Sequence, residues 1–352
     1  MKIALIEIDS SHDECLYTQI KFIKSEKENH LTLIHDKWLA YNISFFDLID
    51  NTIEFNPENY RWKKWVSAYA LYKILKREEF DVVIFNTLNS SVVKKLLLFP
   101  FGRNVKLLGI IHNVKKLNSF YFKNFISKKL NAFYILNDAL ITNINDDIKD
   151  VLNILVFYPV YFPAYPNKSI NKGKDEIWIC IPGQVEFKRR DYNSLFDSIE
   201  KYGINANVKF LFLGRVNKEE ERNLVYGKIK ELKLENNFMI WEDFIDVIQF
   251  HNYLLKSDYI LPLIHKGHNS FDLYKYQTTG TYNLAISYKK PLLLEKDSFY
   301  RDALFWRDAI LYEKERLLKT INHLSKIENR HLYGHVKLDF SYQKDNYLKC
   351  FK

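Results

Sequence analysis

Short apolar, β-branched runs alternate with helical patterns along the whole 352-residue chain, and a proline-rich stretch interrupts them once near the middle. Alternation of this kind predicts parallel sheets covered on both faces by helices. The chain is also longer than one hydrophobic core comfortably serves. The sequence therefore predicts an α/β protein of two doubly wound, Rossmann-like domains.

In the first half, apolar runs at 2–8, 30–34, 82–85, 105–111 and 139–142 are expected to be strands. Helical spacing between them predicts helices near 12–24, 61–77, 89–98, 121–135 and 146–155. The segment Phe157-Tyr-Pro-Val-Tyr-Phe-Pro-Ala-Tyr-Pro166 then breaks the pattern, and polar residues follow it to Gly173. Clustered prolines followed by polar residues mark a linker. Strands are expected again at 177–181, 209–213, 238–241, 259–263 and 291–294, with helices near 191–202, 218–232, 247–257, 279–287, 298–304 and 314–324. An amphipathic helix at 336–351 closes the chain. The expected organisation is a first domain at 1–160, a linker at 161–175, a second domain at 176–335, and a C-terminal helix at 336–352 that packs back on the first domain.

Hydrophobic content of 47% and charged content of 27% place the chain among soluble globular proteins. Its net charge of +9 attracts phosphorylated small molecules, acidic membrane leaflets or nucleic acid. No Arg-rich run or nucleic-acid motif is present, so nucleic acid is not an expected partner. Cys15, Cys180 and Cys350 are odd in number and widely spaced. They fit neither a disulfide framework nor a zinc site and point to a reducing compartment. The chain starts straight into an apolar strand with no signal peptide, and no segment holds some 18 uninterrupted apolar residues. A cytoplasmic protein is expected, with association at the inner face of the plasma membrane as an option.

Ligands of doubly wound sheets bind beyond the carboxyl ends of strands, so the strand-to-loop junctions carry the candidate site residues. The stretch from Tyr276 to Glu295 reads as a polar turn, a helix from Thr279, and a strand. There Thr278, Thr279, Gly280 and Thr281 present backbone N–H groups at the positive end of a helix dipole, a ready anion site. The plain alternative is a capped helix before a buried strand. After the strand at 177–181, Gly183 lets the chain turn. Lys188, Arg189 and Arg190 then stand at a helix start, where they complement phosphate oxygens or form a solvated basic turn. Gly214 permits close backbone approach at the end of the next strand, and Arg215 beside it is within reach of the same ligand or simply on the surface. Phe244 offers a face to a planar base, or is core. His265 and His268 lie three apart with no third ligand, which is not a metal site. Their loop, with Lys266 and Gly267, suits a mobile cover over a polar ligand.

Taken in order, these pieces resemble the donor-binding domain of GT-B-fold glycosyltransferases, nearest the family 4-like group (glycosyl transferases group 1). That group's Gly-[Arg/Gln]-x-x-x-x-[Lys/Arg] segment is matched by Gly183-Gln184 through Lys188-Arg189. Its Leu-Gly-x-Gly segment is matched by Leu213-Gly214-Arg215. Its helix-then-Lys-Pro segment is matched by Tyr276 through Leu292, with Ala285, Lys290 and Pro291 in place. Where the family carries two glutamates, one for the donor sugar and one for the ribose, this chain has Tyr276 and Leu284. A divergent bacterial subset shares its Thr/Ser-Gly-Thr/Ser-Tyr pattern. The resemblance implies a GT-B architecture of two Rossmann-like domains facing a central cleft. It also implies a donor diphosphate held by Thr279, Gly280 and Thr281 with Lys188 and Arg189, so that neither a metal nor a further cofactor is needed.

In the first half, Asp9-Ser-Ser-His-Asp-Glu14 follows the first strand. The resemblance places a catalytic base in this loop in inverting members, and His12, Asp13 and Glu14 can each serve. Ser11 with Glu14 as a capping box is the alternative. His112, at the end of the fourth strand, matches a histidine that family members turn to the donor sugar; otherwise it is a satisfied core residue. Two basic, aromatic stretches at 93–101 and 115–129 suit attachment to an anionic leaflet, or are solvated helices covering the sheet. The expected enzyme is a hexosyltransferase-like glycosyltransferase that moves a sugar from a nucleotide-diphosphate sugar to a glycan, lipid-linked or other hydroxyl acceptor in bacterial surface polysaccharide or glycoconjugate synthesis. A sugar-nucleotide epimerase of the same fold and a catalytically silent sugar-nucleotide-binding or scaffold protein are the alternatives.

Overall fold

The computed structural model describes residues 1–9, 12–41, 43–56, 64–299, 303–326 and 332–351. The chain divides into two compact units. The first is Met1–Pro163 with Tyr276–Thr278 and His335–Lys352; the second is Ala164–Lys275 with Thr279–Gly334.

In the first unit, β1 (Lys2–Glu7), β2 (His30–His35), β3 (Asn51–Glu54), β4 (Val82–Phe85), β5 (Lys106–Ile110), β6 (Ala132–Ile135) and β7 (Ile154–Val156) form one parallel sheet. Its order is β3-β2-β1-β4-β5-β6-β7. Leu5 pairs with Leu33 on one side and Ile84 on the other. The central strands are almost wholly apolar because helices cover both faces, whereas β3 is a largely exposed, polar edge strand. The crossovers are α1 (Leu16–Lys24), α2 (Lys64–Glu78), α3 (Ser91–Leu96) and α4 (Asp146–Lys149). Leu16, Ile20 and Phe22 of α1 pack on Leu5, Leu33, Ile84 and Ile110.

Three expectations fail here. The helix expected at 121–135 does not reach its end, because the four fully buried residues Ala132–Ile135 form β6. The expected strand at 139–142 is instead a 3-10 turn, because the Asn137 side chain accepts the Ala139 N–H at 2.9 Å and caps the turn. Likewise the helix expected at 146–155 stops at Lys149, and its last residues enter β7.

In the second unit, β8 (Ile177–Pro182), β9 (Val208–Leu213), β10 (Phe238–Ile240) and β11 (Tyr259–Ile260) make a parallel sheet of order β10-β9-β8-β11. Its crossovers are α5 (Tyr192–Tyr202), α6 (Glu219–Glu231) and α7 (Val247–Lys256). There follow α8 (Asn269–Tyr274), α9 (Gly280–Ser287), the parallel pair β12 (Leu293–Glu295) and β13 (Ile310–Tyr312), and α10 (Leu317–Ile321). A bridge from Ile260 to Leu292 continues the sheet toward β12. Tyr192, Leu195 and Phe196 of α5 pack on Ile179, Phe210 and Phe212. The expected helix at 298–304 lies partly outside the described residues, and its described part is turn and bend.

The stretch read as a linker is divided. From Ala164 onward it belongs to the second unit, where the Lys168 N–H reaches Asn252 Oδ1 at 3.0 Å and the Pro166 carbonyl accepts from Asn252 Nδ2 at 2.9 Å. The last helix, α11 (Phe340–Leu348), belongs to the first unit. Its Tyr347 is fully buried and donates to Gln19 Oε1 at 2.9 Å, while Tyr134 Oη donates to the Tyr347 carbonyl at 2.6 Å.

Candidate functional site

The order of the second sheet reverses at β8 and β11, and doubly wound sheets bind ligands beyond the carboxyl ends of strands at such a point. β8 leads into Gly183, whose φ of +99° is open only to glycine at low cost. A Cβ on Gly214 would sit 2.2 Å from the Gly183 carbonyl oxygen, so the backbones cross here too closely for any side chain. The following loop returns to Arg190, which is only 6% exposed. Arg190 Nη1 donates to the Pro262 carbonyl at 2.6 Å, and Nη2 donates to the Pro182 carbonyl and to Thr281 Oγ1, the latter at 3.3 Å. One guanidinium thus ties the ends of β8 and β11 to the first turn of α9. Among the described residues it forms no ion pair. A buried cation without a carboxylate, set at a helix start, favours an anionic ligand.

Thr279 caps α9, accepting the Thr281 N–H on its hydroxyl at 3.4 Å. Both threonines are buried, whereas Gly280 is exposed and a Cβ there would meet nothing within 4 Å. Thr278 groups with the first unit. Lys188 and Arg189 are exposed, and Arg189 pairs with Glu186 at 2.7 Å. The basic residue that the fold carries to the strand ends is the third of that triplet, Arg190. Phe244 is 73% exposed after β10, so it is not core.

The His265 loop departs from expectation. His265 is fully buried and held at both ring nitrogens, by Asp191 at 2.9 Å and Tyr312 Oη at 2.8 Å. A ring fixed in this way is internal scaffolding, not part of a mobile cover. Asp191 also caps α5 through the Ser194 N–H and lies 3.1 Å from Lys314 Nζ. Burial works to raise the Asp191 carboxyl, but hydrogen bonds from His265 and Ser194, with the His265 charge, hold it well below the usual carboxylate range. No cluster of His, Cys, Asp or Glu suited to a metal occurs among the described residues.

In the first sheet the order reverses between β1 and β4. The carboxyl end of β1 delivers Glu7 and Asp9, and that of β4 delivers Asn86 and Thr87. Glu7 is fully buried and accepts three hydrogen bonds, from Asn86 Nδ2 at 2.5 Å, Thr87 Oγ1 at 2.7 Å and the Asp9 N–H at 2.8 Å. Burial pushes its carboxyl up to about 8 against the pull of those donors. Asn86 Nδ2 also holds the His12 carbonyl at 2.9 Å, where His12 adopts a left-handed φ of 73°.

The His12 ring stacks on His112 with centroids 3.6 Å apart and planes 13° from parallel. His112 Nε2 lies 2.7 Å from the Asn86 carbonyl. A carbonyl only accepts, so Nε2 carries the hydrogen and Nδ1 is left as an acceptor. Burial, with the charge of His12 next, pulls His112 down to about 4. Burial works against protonation of His12 too, but Glu14, 3.4 Å from Nδ1, raises it by hydrogen bond and charge. Asp13 is pushed up to about 6 by burial and by the neighbouring Glu14. The fold therefore brings His12, Asp13 and His112 together at one strand end. Ser11, the proposed capping partner, lies outside the described residues, and Glu14 is engaged with His12. The sequence reading missed Glu7, Asn86 and Thr87. Its one available signal was an acidic residue closing an otherwise apolar strand.

The sequence matches no family model and no curated protein. Solved structures are similar in fold. Anabaena HepE in complex with UDP-glucose superposes with a TM-score of 0.62 at 11% identity, covering 100% of this chain and 93% of that one. A putative UDP-N-acetylglucosamine 2-epimerase from Listeria monocytogenes gives 0.58 at 12% identity over 100% and 90%. A glycosyltransferase from Rickettsia africae gives 0.59 at 16% over 99% and 92%. The chain has the GT-B fold, which glycosyltransferases and UDP-N-acetylglucosamine 2-epimerases share.

Proposed function

We propose that the protein is a glycosyltransferase that uses a nucleotide-diphosphate sugar. The observation that carries this reading is Arg190, buried at the carboxyl ends of β8 and β11 with no ion pair among the described residues and bonded to the first turn of α9. In this reading the donor diphosphate lies against Arg190, Gly183, Gly214 and the start of α9 at Thr279, Gly280 and Thr281, with exposed Lys188 and Arg189 around it and Phe244 near the base. Their positive charge stabilises the departing nucleoside diphosphate, so transfer needs no metal. The acceptor hydroxyl, from a glycan or a lipid-linked glycan of a bacterial surface polymer, attacks the anomeric carbon as the bond to the diphosphate breaks. Its proton passes to a base at the end of β1. Asp13, with a carboxyl near 6, is largely ionised at neutral pH and suits that task. His12 and His112 orient the hydroxyl.

Gly280→Val tests the site, because the added side chain meets no protein atom near its Cβ. The variant should keep its unfolding midpoint yet lose UDP binding in calorimetry and transfer from a panel of nucleotide sugars, with or without EDTA. Undiminished UDP binding would sink the proposed position of the diphosphate.

One observation favours a second reading. Four carboxylates, Glu7, Asp9, Asp13 and Glu14, gather at the end of β1, and burial raises three of them, Glu7, Asp9 and Asp13. Such groups suit proton abstraction from a sugar carbon, as in an epimerase. Incubation of UDP-N-acetylglucosamine with the enzyme in D2O separates the two. Deuterium at a sugar carbon supports epimerisation, transfer or slow hydrolysis supports the transferase, and binding without either supports a silent binding protein.

A further inference from the structure

The first unit carries a basic, aromatic face that its core does not use. Phe122 and Ile126 turn inward and are buried, as are Val92, Val93 and Leu96 of α3. Their neighbours turn outward. Trp65 is 52% exposed, Tyr69 47%, Leu98 42%, Phe120 77% and Phe125 49%. These side chains are continuous across three segments. The Phe99 ring lies 6.4 Å from Trp65 and 5.8 Å from Tyr69, joining the loop after α3 to α2. Tyr121 donates to the Lys94 carbonyl at 3.2 Å and stacks 5.6 Å from Phe125, joining the third segment.

Lysines frame these rings. Lys95 Nζ lies 5.8 Å from the Trp65 ring centre and Lys73 Nζ 4.8 Å from that of Tyr69. Lys73, Lys76, Lys94, Lys95 and Lys116 form no ion pair among the described residues, and Lys123 pairs with Asp147. Exposed rings in one connected patch mark an interaction surface. Lysines set among them without counter-charges select an anionic partner. Amphipathic rings at the level of ammonium heads match the boundary between headgroups and acyl chains. We propose that this face seats the first unit on an anionic lipid leaflet, independently of which nucleotide sugar the second unit takes.

The test is co-sedimentation of the full chain with vesicles of phosphatidylglycerol and phosphatidylcholine in about equal parts, and with phosphatidylcholine alone. The protein should pellet with the anionic vesicles only, and less as salt rises. Trp65→Ser with Phe120→Ser, both exposed, should leave the unfolding midpoint in place and weaken partitioning by more than about tenfold. Lys73→Glu with Lys95→Glu should do the same. No pelleting, equal pelleting with both vesicles, unchanged partitioning of both double variants, or capture by single-stranded RNA instead of vesicles would each overturn the proposal.

Discussion

Arg190 answers two demands with one side chain. Its fork satisfies the carbonyls of Pro182, the last residue of β8, and Pro262, just beyond β11, while its charge stays uncompensated among the described residues. Lysine keeps the charge but not the fork. Arg190→Lys should therefore lower stability by about 1–3 kcal/mol, the cost of buried carbonyls left unpaired. It should also weaken UDP binding about tenfold or more; urea unfolding and calorimetry read the two effects separately. Glu7 makes the opposite case, an acid raised by burial from 4.5 to about 8. Across that window the folded chain binds more protons than the unfolded one, so the stability Glu7 contributes is complete below about pH 4 and lost as pH rises toward 8. Glu7→Gln should flatten the fall in urea midpoint between pH 5 and 8. Parallel slopes for the two proteins would mean that the three donors keep Glu7 ionised.

At the scale of elements, the turns after β8 and β9 are set by steric exclusion. Gly183 needs a positive φ and Gly214 has backbone 2.2 Å from where a Cβ would stand. The start of α9 has no such crowding at Gly280. Gly214→Ala should cost about 1–3 kcal/mol, since backbone cannot yield as a flexible side chain does. Gly280→Ala should leave stability within about 0.5 kcal/mol. Thermal unfolding of the pair checks this, and equal losses would contradict the crowding at Gly214.

For the whole molecule, the chain does not keep its units in sequence order. Residues 335–352 return to the first unit and supply Tyr347 and Phe351 to its core, beside Leu16, Phe22 and Tyr134. Tyr347→Ala should destabilise the protein by about 3–5 kcal/mol, the range for a large buried aromatic. Circular dichroism with urea reads it, and a loss under about 1 kcal/mol would show the helix docked without packing energy. The division also bears on Tyr276–Thr278, which groups with the first unit although both flanks belong to the second. There the Val114 N–H bonds to the Tyr276 carbonyl at 2.8 Å and Lys115 Nζ lies 5.5 Å from the Tyr276 ring centre.

The alternation of strands and helices was legible along the chain, because apolar period and turn chemistry are local. So were the glycine-bearing strand ends and the histidines after β1 and β5, since strand-to-loop junctions are visible in the pattern. Local pattern failed at Ala132–Ile135, where a buried strand and a buried helix turn look alike over four residues. Which of Lys188, Arg189 and Arg190 points inward is not a local matter. That choice depends on where Pro262 and Thr281 lie, 72 and 91 residues further along the chain. The same is true of Glu7, whose partners Asn86 and Thr87 are 79 and 80 residues away. Strand order sets these meetings, and a parallel sheet takes its order from long-range pairing that no local window contains.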